Sequence, residues 1–153
     1  MEGNFEEWLW EKKGLKCVEN LKKHGFDPHY TGSLSQAKTL IMGMIGGFQS
    51  FGFGGSDTTR SLGIIEELRA QGKIIYDHWQ KGLEREQDLN IRLQQGRCDC
   101  FLCSANAISM TGEIVNVDGI AHPTNAMSFG PKKIVIVAGM NQVTHDLASA
   151  LRR

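Results

Sequence analysis

The sequence lacks an excess of charge of either sign. Seventeen lysines and arginines balance seventeen aspartates and glutamates over 153 residues, so the formal net charge is zero. A chain without a net field has little to attract the phosphates of a nucleic acid or the headgroups of an anionic membrane. We therefore expect neither nucleic-acid binding nor attachment to a charged bilayer surface.

Long apolar runs are also missing. The longest, Leu40–Gly47 and Ile134–Gly139, fall far short of the roughly 20 residues that a bilayer-spanning helix needs. The chain begins MEGNFEEWLWEKK, which is acidic and lacks the basic-then-apolar order of a signal peptide. We therefore expect no membrane insertion and a cytoplasmic location.

Cysteine is too scarce for a secreted disulfide scaffold, since the chain has four. Cys98, Cys100 and Cys103 nevertheless form a C-x-C-x-x-C cluster, a kind of spacing that suggests zinc or an iron–sulfur cluster. In an extended strand Cys98 and Cys100 would face one way and Cys103 the other, so one metal would not readily collect all three thiolates. The pattern favours structural thiols, and no metal site is predicted.

The histidines show no H-E-x-x-H or comparable metal spacing; they are His24, His29, His78, His122 and His145. His78 follows a predicted strand, where a surface position is favoured over a place in a crevice. His122 lies in the 118–127 loop, either as a site residue or as a helix-entry residue before Pro123. No nucleophile or general base stands out, so neither a catalytic residue nor a cofactor is assigned.

Helix-like and strand-like segments alternate along most of the chain. Helices are predicted over Glu2–His24, from Ser33 to the Gly46–Gly47 pair, from Gly54–Asp57 to Gly72, over Leu83–Gln95, and from Asn141 or Thr144 to the end. Strands are predicted over Phe26–Thr31, Ser50–Phe53, Lys73–His78, Cys98–Ile108, Glu113–Val117 and Lys133–Gly139. The alternation predicts one α/β domain over residues 1–153, with an N-terminal helix to residue 24, an α/β core over 25–153, and a largely parallel sheet sandwiched by helices.

A glycine-rich corner stands where a predicted strand feeds a helix: Gly54, Gly55 and Ser56, followed by Asp57. Glycines let the backbone approach a ligand closely, and the first amides of a helix favour a phosphate or carboxylate. The alternative is a tight strand-to-helix turn that Ser56 or Asp57 caps. The pattern matches neither a Walker loop nor G-x-G-x-x-G, so both interpretations stay open.

A second group of polar residues lies between Ser104 and Gly139. Asn106 ends one predicted strand, and Asn116 and Asp118 share a face near the end of its hairpin mate, so we expect the three to converge. Gly119 permits a sharp corner or close ligand approach, and Lys132 would supply a cation. Each residue alone is also a common turn former. Together with the glycine corner they predict a site for a small anionic metabolite or a nucleotide-like ligand.

Three stretches carry a family resemblance: GFGGSDTTRSLGIIEELRAQG, SANAISMTGEIVNVDG and AMSFGPKKIVIVAGMNQV. From about Gly25 to Asp146 the chain resembles the LUD domain family of lactate-utilization protein C. The resemblance implies the three-layer α/β/α fold of the NagB/RpiA/CoA-transferase type. It also implies a part in the oxidation of L-lactate to pyruvate, alongside iron–sulfur partner proteins.

The chain differs from the family at three places. The strand before Ser104 is usually not cysteine-rich in the family, which supports Cys98, Cys100 and Cys103 as core substitutions. Ala121-His122-Pro123 replaces a Gly-Asn-Arg-like turn, and the chain stops earlier than many relatives. These differences favour an alternative role as a non-catalytic assembly subunit that docks iron–sulfur proteins, and fold analogy offers a CoA- or folate-dependent transferase or ligase. Trp8 and Trp10 cannot share one helical face, so one of them is expected to cover another surface or a partner subunit, as in a homo-oligomer.

Overall fold

The computed structural model describes residues 5–153, and the chain divides into two compact units. The larger comprises Leu34–Ser104 and Val117–Val137; the smaller comprises the described residues up to Ser33, Ala105–Asn116 and Ala138–Arg153. The elements in chain order are α1 (Phe5–Lys23), α2 (Leu34–Ile45), β1 (Ser50–Phe53), α3 (Asp57–Arg60), α4 (Ile64–Ala70), β2 (Ile74–Asp77), α5 (Arg85–Gln95), β3 (Cys100–Cys103), β4 (Ala107–Ser109), β5 (Ile114–Val115), α6 (His122–Ser128), β6 (Lys133–Ile136), a 3₁₀ turn (Met140–Gln142), β7 (Val143–Thr144) and α7 (Leu147–Arg152). Whether they form a single domain, as the sequence suggests, remains a prediction.

The larger unit is built on a four-stranded sheet of order β2-β1-β3-β6 in which every pairing is parallel. The strand β3, CFLC, is buried at all four positions, as expected for a central parallel strand covered on both faces. Cys100 and Leu102 pack with the apolar side chains of α2 and α4, whereas Phe101 and Cys103 pack with Ala126 of α6. The sheet therefore lies between two helical layers, and the predicted three-layer α/β/α class is confirmed.

The close packing of α5 on the sheet depends on Gly52 in β1. A Cβ added at Gly52 would lie 3.1 Å from the Cα of Gln95 and 3.0 Å from the Phe101 ring. A side chain at position 52 would therefore push the end of α5 away from the sheet. The close approach lets the buried side chain of Gln95 reach the main chain at the carboxyl ends of β1 and β2.

The cysteine cluster is arranged differently from the expectation. Because β3 begins only at Cys100, Cys98 lies before the strand and packs with Cys103, on the face opposite Cys100. The prediction that Cys98 and Cys100 share a face is therefore wrong. All these thiols are free and buried, and burial raises the pKa of Cys98 to about 11 and those of Cys100 and Cys103 to about 12. Over residues 5–153, no three metal-ligating side chains form a cluster that would hold an ion.

The smaller unit has a three-stranded sheet in which β4 pairs antiparallel with β5 and parallel with β7. Gly112, with φ +102°, makes the tight turn between β4 and β5. Asn20 donates to the carbonyl of Met110 at 2.7 Å, and His24 Nδ1 lies 2.6 Å from the carbonyl of Gly112. The end of α1 is thereby tied to this turn.

Several element boundaries differ from the predictions. Residues 26–31 form no strand. The helix expected to begin at Gly54–Asp57 is divided at Gly63, which has φ +62°, into α3 and α4. The run Cys98–Ile108 divides into β3 and β4, which belong to separate sheets. The last helix begins only at Leu147 because Val143–Thr144 pairs with β4. In residues 5–153, no helix combines the length and apolar character that crossing a bilayer requires.

Candidate functional site

The chain connections of the larger sheet run in opposite directions on the two sides of the boundary between β1 and β3, although all the strands are parallel. The chain passes from β1 to β2 on one side and then to β3 on the other side of β1. In open α/β sheets such a reversal leaves a crevice outside the carboxyl ends of the two strands, and ligands bind there. The glycine corner at Gly54–Ser56 follows β1 at this edge, and Ser104 follows β3.

Gly54 and Ser56 have clear structural roles at this corner. The amide of Gly54 donates to Leu102 at 2.8 Å, and a Cβ on Gly54 would come within 3.0 Å of the Cβ of Cys103. Ser56 Oγ accepts from the amide of Thr59 and so caps α3. The four residues of α3 make only one turn, so the helix adds little dipole to the corner. The capping interpretation of Ser56 therefore holds, and the use of this corner by an anion remains a prediction.

A buried carboxylate beside the corner holds two arginines. Asp77, the last residue of β2, is 3% exposed and accepts two hydrogen bonds from the guanidinium of Arg60, while Arg69 lies 3.7 Å away. Burial opposes the charge of Asp77, but the hydrogen bonds from Arg60 and from the amide of Trp79 lower its pKa overall. Two guanidiniums on one carboxylate leave one net positive charge in this group.

Trp79 lies against both the arginine group and the glycine corner. The Arg60 guanidinium stands 4.7 Å from the centroid of the indole, in cation–π geometry. A Cβ on Gly55 would lie only 2.6 Å from Trp79 Nε1, so only glycine leaves room for the indole here. The segment Asp77–Trp79 thus borders the crevice from the side of β2.

His78, between those two residues, turns inward. It is 7% exposed, so the expectation of a surface position is wrong. The amide nitrogen of Gln95 donates at 2.8 Å to the carbonyls of Phe53 and Tyr76 and lies 3.1 Å from His78 Nδ1. The amide nitrogen has only two hydrogens for these three neighbours, so the contact with His78 Nδ1 does not fix the tautomer or the charge of the ring. Burial, and then the charge of Arg92, lower the pKa of His78.

His122 packs edge-on against His78, with ring centroids 5.9 Å apart. It is the first residue of α6, so its helix-entry interpretation is correct. Its Nε2 lies 3.0 Å from the carbonyl of Arg92, which accepts only from an N–H, so in the neutral ring Nδ1 carries the lone pair. Within residues 5–153, Nδ1 is buried and has no hydrogen-bond partner. Burial lowers the pKa of His122, although the Arg92 carbonyl acts in the opposite direction.

Asp118 fixes the loop that leads into α6. Its carboxylate accepts from the amide and the hydroxyl of Thr124, at 3.1 and 2.7 Å, and from the amide of Ile120 at 3.2 Å. These hydrogen bonds, the Thr124 hydroxyl first, lower the pKa of Asp118. Gly119 is exposed, and a Cβ there would meet nothing within 4 Å. Asp118 therefore acts on the position of His122 through the loop.

Lys132 does not reach the glycine corner. It directly precedes β6 and donates to Asp99, which precedes β3, at 2.7 Å. Because the strands are parallel, both residues lie at the amino edge of the sheet, opposite the carboxyl edge that carries Gly54–Ser56. Asn106 and Asn116 belong to the smaller unit, where the amide of Asn106 donates to Val115 beside Asn116.

Sequence reasoning missed Arg60, Asp77 and Gln95 as site residues. A carboxylate near the end of a predicted strand, followed at once by histidine and tryptophan, was the available signal at Asp77. Gln95 gives no local signal, because its role depends on the approach of α5 to Gly52.

The family model described as the LUD domain matches residues 15–153. The chain belongs to the LUD domain family. The resemblance seen in its sequence is thus confirmed, and this family is associated with lactate-utilization proteins. Searches among curated proteins and among solved structures gave no significant match.

Proposed function

We propose that this LUD-domain protein acts in the oxidation of L-lactate to pyruvate, or of a related organic acid, and binds a small carboxylate at the carboxyl edge of its parallel sheet. The observation that carries the proposal is the glycine corner at the reversal between β1 and β3, flanked by Arg60 and Arg69. Membership of the LUD family supports the pathway, and the corner supports the place of binding.

The arginine group accounts for the preference for an anion. Arg60 and Arg69 share the single carboxylate of Asp77, so their combined charge is not neutralised within the group. A carboxylate that enters beside Gly55 would meet this positive field and the planar, hydrogen-bonding guanidiniums. The cation that the sequence assigned to Lys132 is supplied in this proposal by the arginines.

The test is a calorimetric titration with L-lactate, pyruvate and acetate at low ionic strength. Gly55→Val would displace Trp79, and Arg60→Gln would remove a charge, so each is expected to weaken binding about tenfold. Asp57→Asn removes a negative charge at the start of α3 and is expected to strengthen binding. Gly43→Ala, at a helical glycine with nothing within 4 Å of the added carbon, is the matched control and should bind as the parent does.

Binding that survives both Gly55→Val and Arg60→Gln would place the ligand elsewhere. No binding of any acid, together with co-purification of an iron–sulfur protein, would favour the assembly role. That role has its own support in exposed apolar side chains of the larger unit, among which Phe129 is 83% and Ile120 65% exposed.

A further inference from the structure

Two neighbouring imidazoles, the buried His78 and the half-buried His122, have no role in the proposed anion binding. His78 follows Asp77 and precedes Trp79, so it is held by the same three-residue segment that borders the crevice. Gln95 connects it to the corner, because the same amide nitrogen bonds the carbonyl of Phe53, the residue before Gly54. The histidine pair therefore lies beside the proposed carboxylate site, on the face of the sheet that α5 and α6 cover.

The tautomer of His122 is fixed by its surroundings. Its Nε2–H is directed at the Arg92 carbonyl, and the edge of Phe101 lies against the ring at a centroid distance of 6.1 Å. Ala121, directly before it, is in the left-handed region at φ +56° and ψ +22°, which an alanine adopts only at a cost in energy. The ring is thus held by a strained residue, a hydrogen bond and two aromatic contacts.

Nδ1 is the ring nitrogen of His122 that these contacts leave without a hydrogen-bond partner within residues 5–153. Buried polar atoms are nearly always hydrogen-bonded, and those that are not often belong to functional sites. The Oε1 of Gln95, in the same cluster, is a second buried acceptor without a partner in residues 5–153. His122 Nδ1 and Gln95 Oε1 are thus two hydrogen-bond acceptors without a donor in residues 5–153, and a ligand group with an O–H or N–H would supply one.

We propose that His122 Nδ1 accepts the hydrogen of a hydroxyl on the bound organic acid, and that it thereby selects 2-hydroxy acids over the corresponding acids that lack the hydroxyl. This inference rests on the proposed function, which places the carboxylate beside Arg60 and Gly55. A neutral histidine is needed for this role, and burial favours the neutral form. His122 is in this sense a specificity-determining residue.

The experiment compares matched acids that differ only in the hydroxyl: L-lactate with propionate, and glycolate with acetate. In the parent protein the hydroxy acid is expected to bind about tenfold more tightly than its partner. His122→Phe keeps a ring against Phe101 and His78 but removes the acceptor, so the ratio should fall to about one while propionate binding is unchanged. His122→Gln, whose amide oxygen accepts, should restore part of the ratio.

His145→Phe is the matched control, since its side chain is 81% exposed and lies in the smaller unit. It should keep the ratio of the parent. A nitrogen-15 spectrum gives a second readout, in which L-lactate but not propionate shifts the unprotonated Nδ1 resonance of His122. Thermal melts establish that each variant is folded before its affinities are compared.

The outcomes separate the two proposals. Equal binding of lactate and propionate to the parent, or a ratio that survives His122→Phe, would overturn the role of His122 and leave carboxylate binding in place. Binding of neither acid to the parent would overturn both.

Discussion

At the scale of single residues, Ala121 is the position where local preference and structure disagree most. Within residues 5–153 it is the one non-glycine residue with positive φ, at +56°. The left-handed conformation costs an L-residue roughly 1–2 kcal/mol, because Cβ crowds the following carbonyl. Hydrogen bonds on either side of Ala121 offset this cost: Asp118 accepts from the amides of Ile120 and Thr124.

Ala121→Gly is expected to raise the free energy of unfolding by about 1 kcal/mol, because glycine adopts the left-handed region without that crowding. Urea denaturation measures the change. Ala126→Gly, within right-handed α6, is the comparison and should lower the free energy of unfolding by about 1 kcal/mol. Two changes of the same sign would show that Ala121 is not strained.

At the scale of secondary-structure elements, the contact of α6 with α5 includes a histidine whose neutral form is favoured by burial. His122 binds the Arg92 carbonyl of α5, and His78 packs between β2 and the same helix end. Arg92 itself pairs with Asp88 at 2.7 Å, and its charge lowers the pKa of both histidines. Protonation would therefore place positive charge where burial and Arg92 both oppose it.

This arrangement predicts a loss of stability on mild acidification. Both histidine pKa values are lower in the folded chain than the ordinary value near 6.5, so the unfolded chain takes up protons first. The stabilisation that comes from the neutral histidines should therefore be complete above about pH 6.5, and the free energy of unfolding should fall as the pH drops below it. Carboxylates whose pKa is lowered, among them Asp77 and Asp118, are already ionised above about pH 4. The change in stability between pH 5 and 7 is therefore expected to come from the histidines.

The measurement is the melting temperature between pH 5 and 7. The double variant His78→Gln/His122→Gln should show a flatter profile than the parent, even though its melting temperature is lower throughout. His145→Gln should retain the slope of the parent. A parent profile that is flat over this range would contradict the prediction.

Elements with strong local signals were predictable from the sequence. Ser50–Phe53 was predicted with its observed bounds, because a short, mostly apolar run between glycines is typical of a buried strand. Phe26–Thr31 was not, because a strand needs a neighbour with which to pair and its residues find none in the described structure. Val143–Thr144 was taken for helix because its pairing with β4 joins segments about 35 residues apart.

The candidate site divides in the same way. The strand-to-helix turn at the glycine corner was predictable because its signal is local, whereas the burial of His78 depends on Gln95 from a later helix. Lys132 was misplaced for a different reason. A residue that precedes a parallel strand lies at the amino edge, so the direction of β6 separates Lys132 from residues that follow β1.

At the scale of the whole molecule, the two units differ in the apolar side chains that they bury. Both clusters of buried apolar side chains lie in the larger unit, whereas within residues 5–153 the buried apolar residues of the smaller unit are Cys17, Leu21, Ala105, Ala107 and Ala150. Less burial of apolar surface gives less stabilisation, at roughly 25 cal/mol per Å². The smaller unit is therefore expected to open more often than the larger.

The buried thiols make this difference measurable. Cys17 lies in the smaller unit, and Cys98, Cys100 and Cys103 lie in the larger. Under native conditions iodoacetamide should modify Cys17 faster than the other three, with the rates read from digested peptides by mass spectrometry. Equal rates would indicate that both units open together, and the reverse order would contradict the expectation. Each unit thus contains its own chemical reporter of transient exposure, and no label has to be introduced.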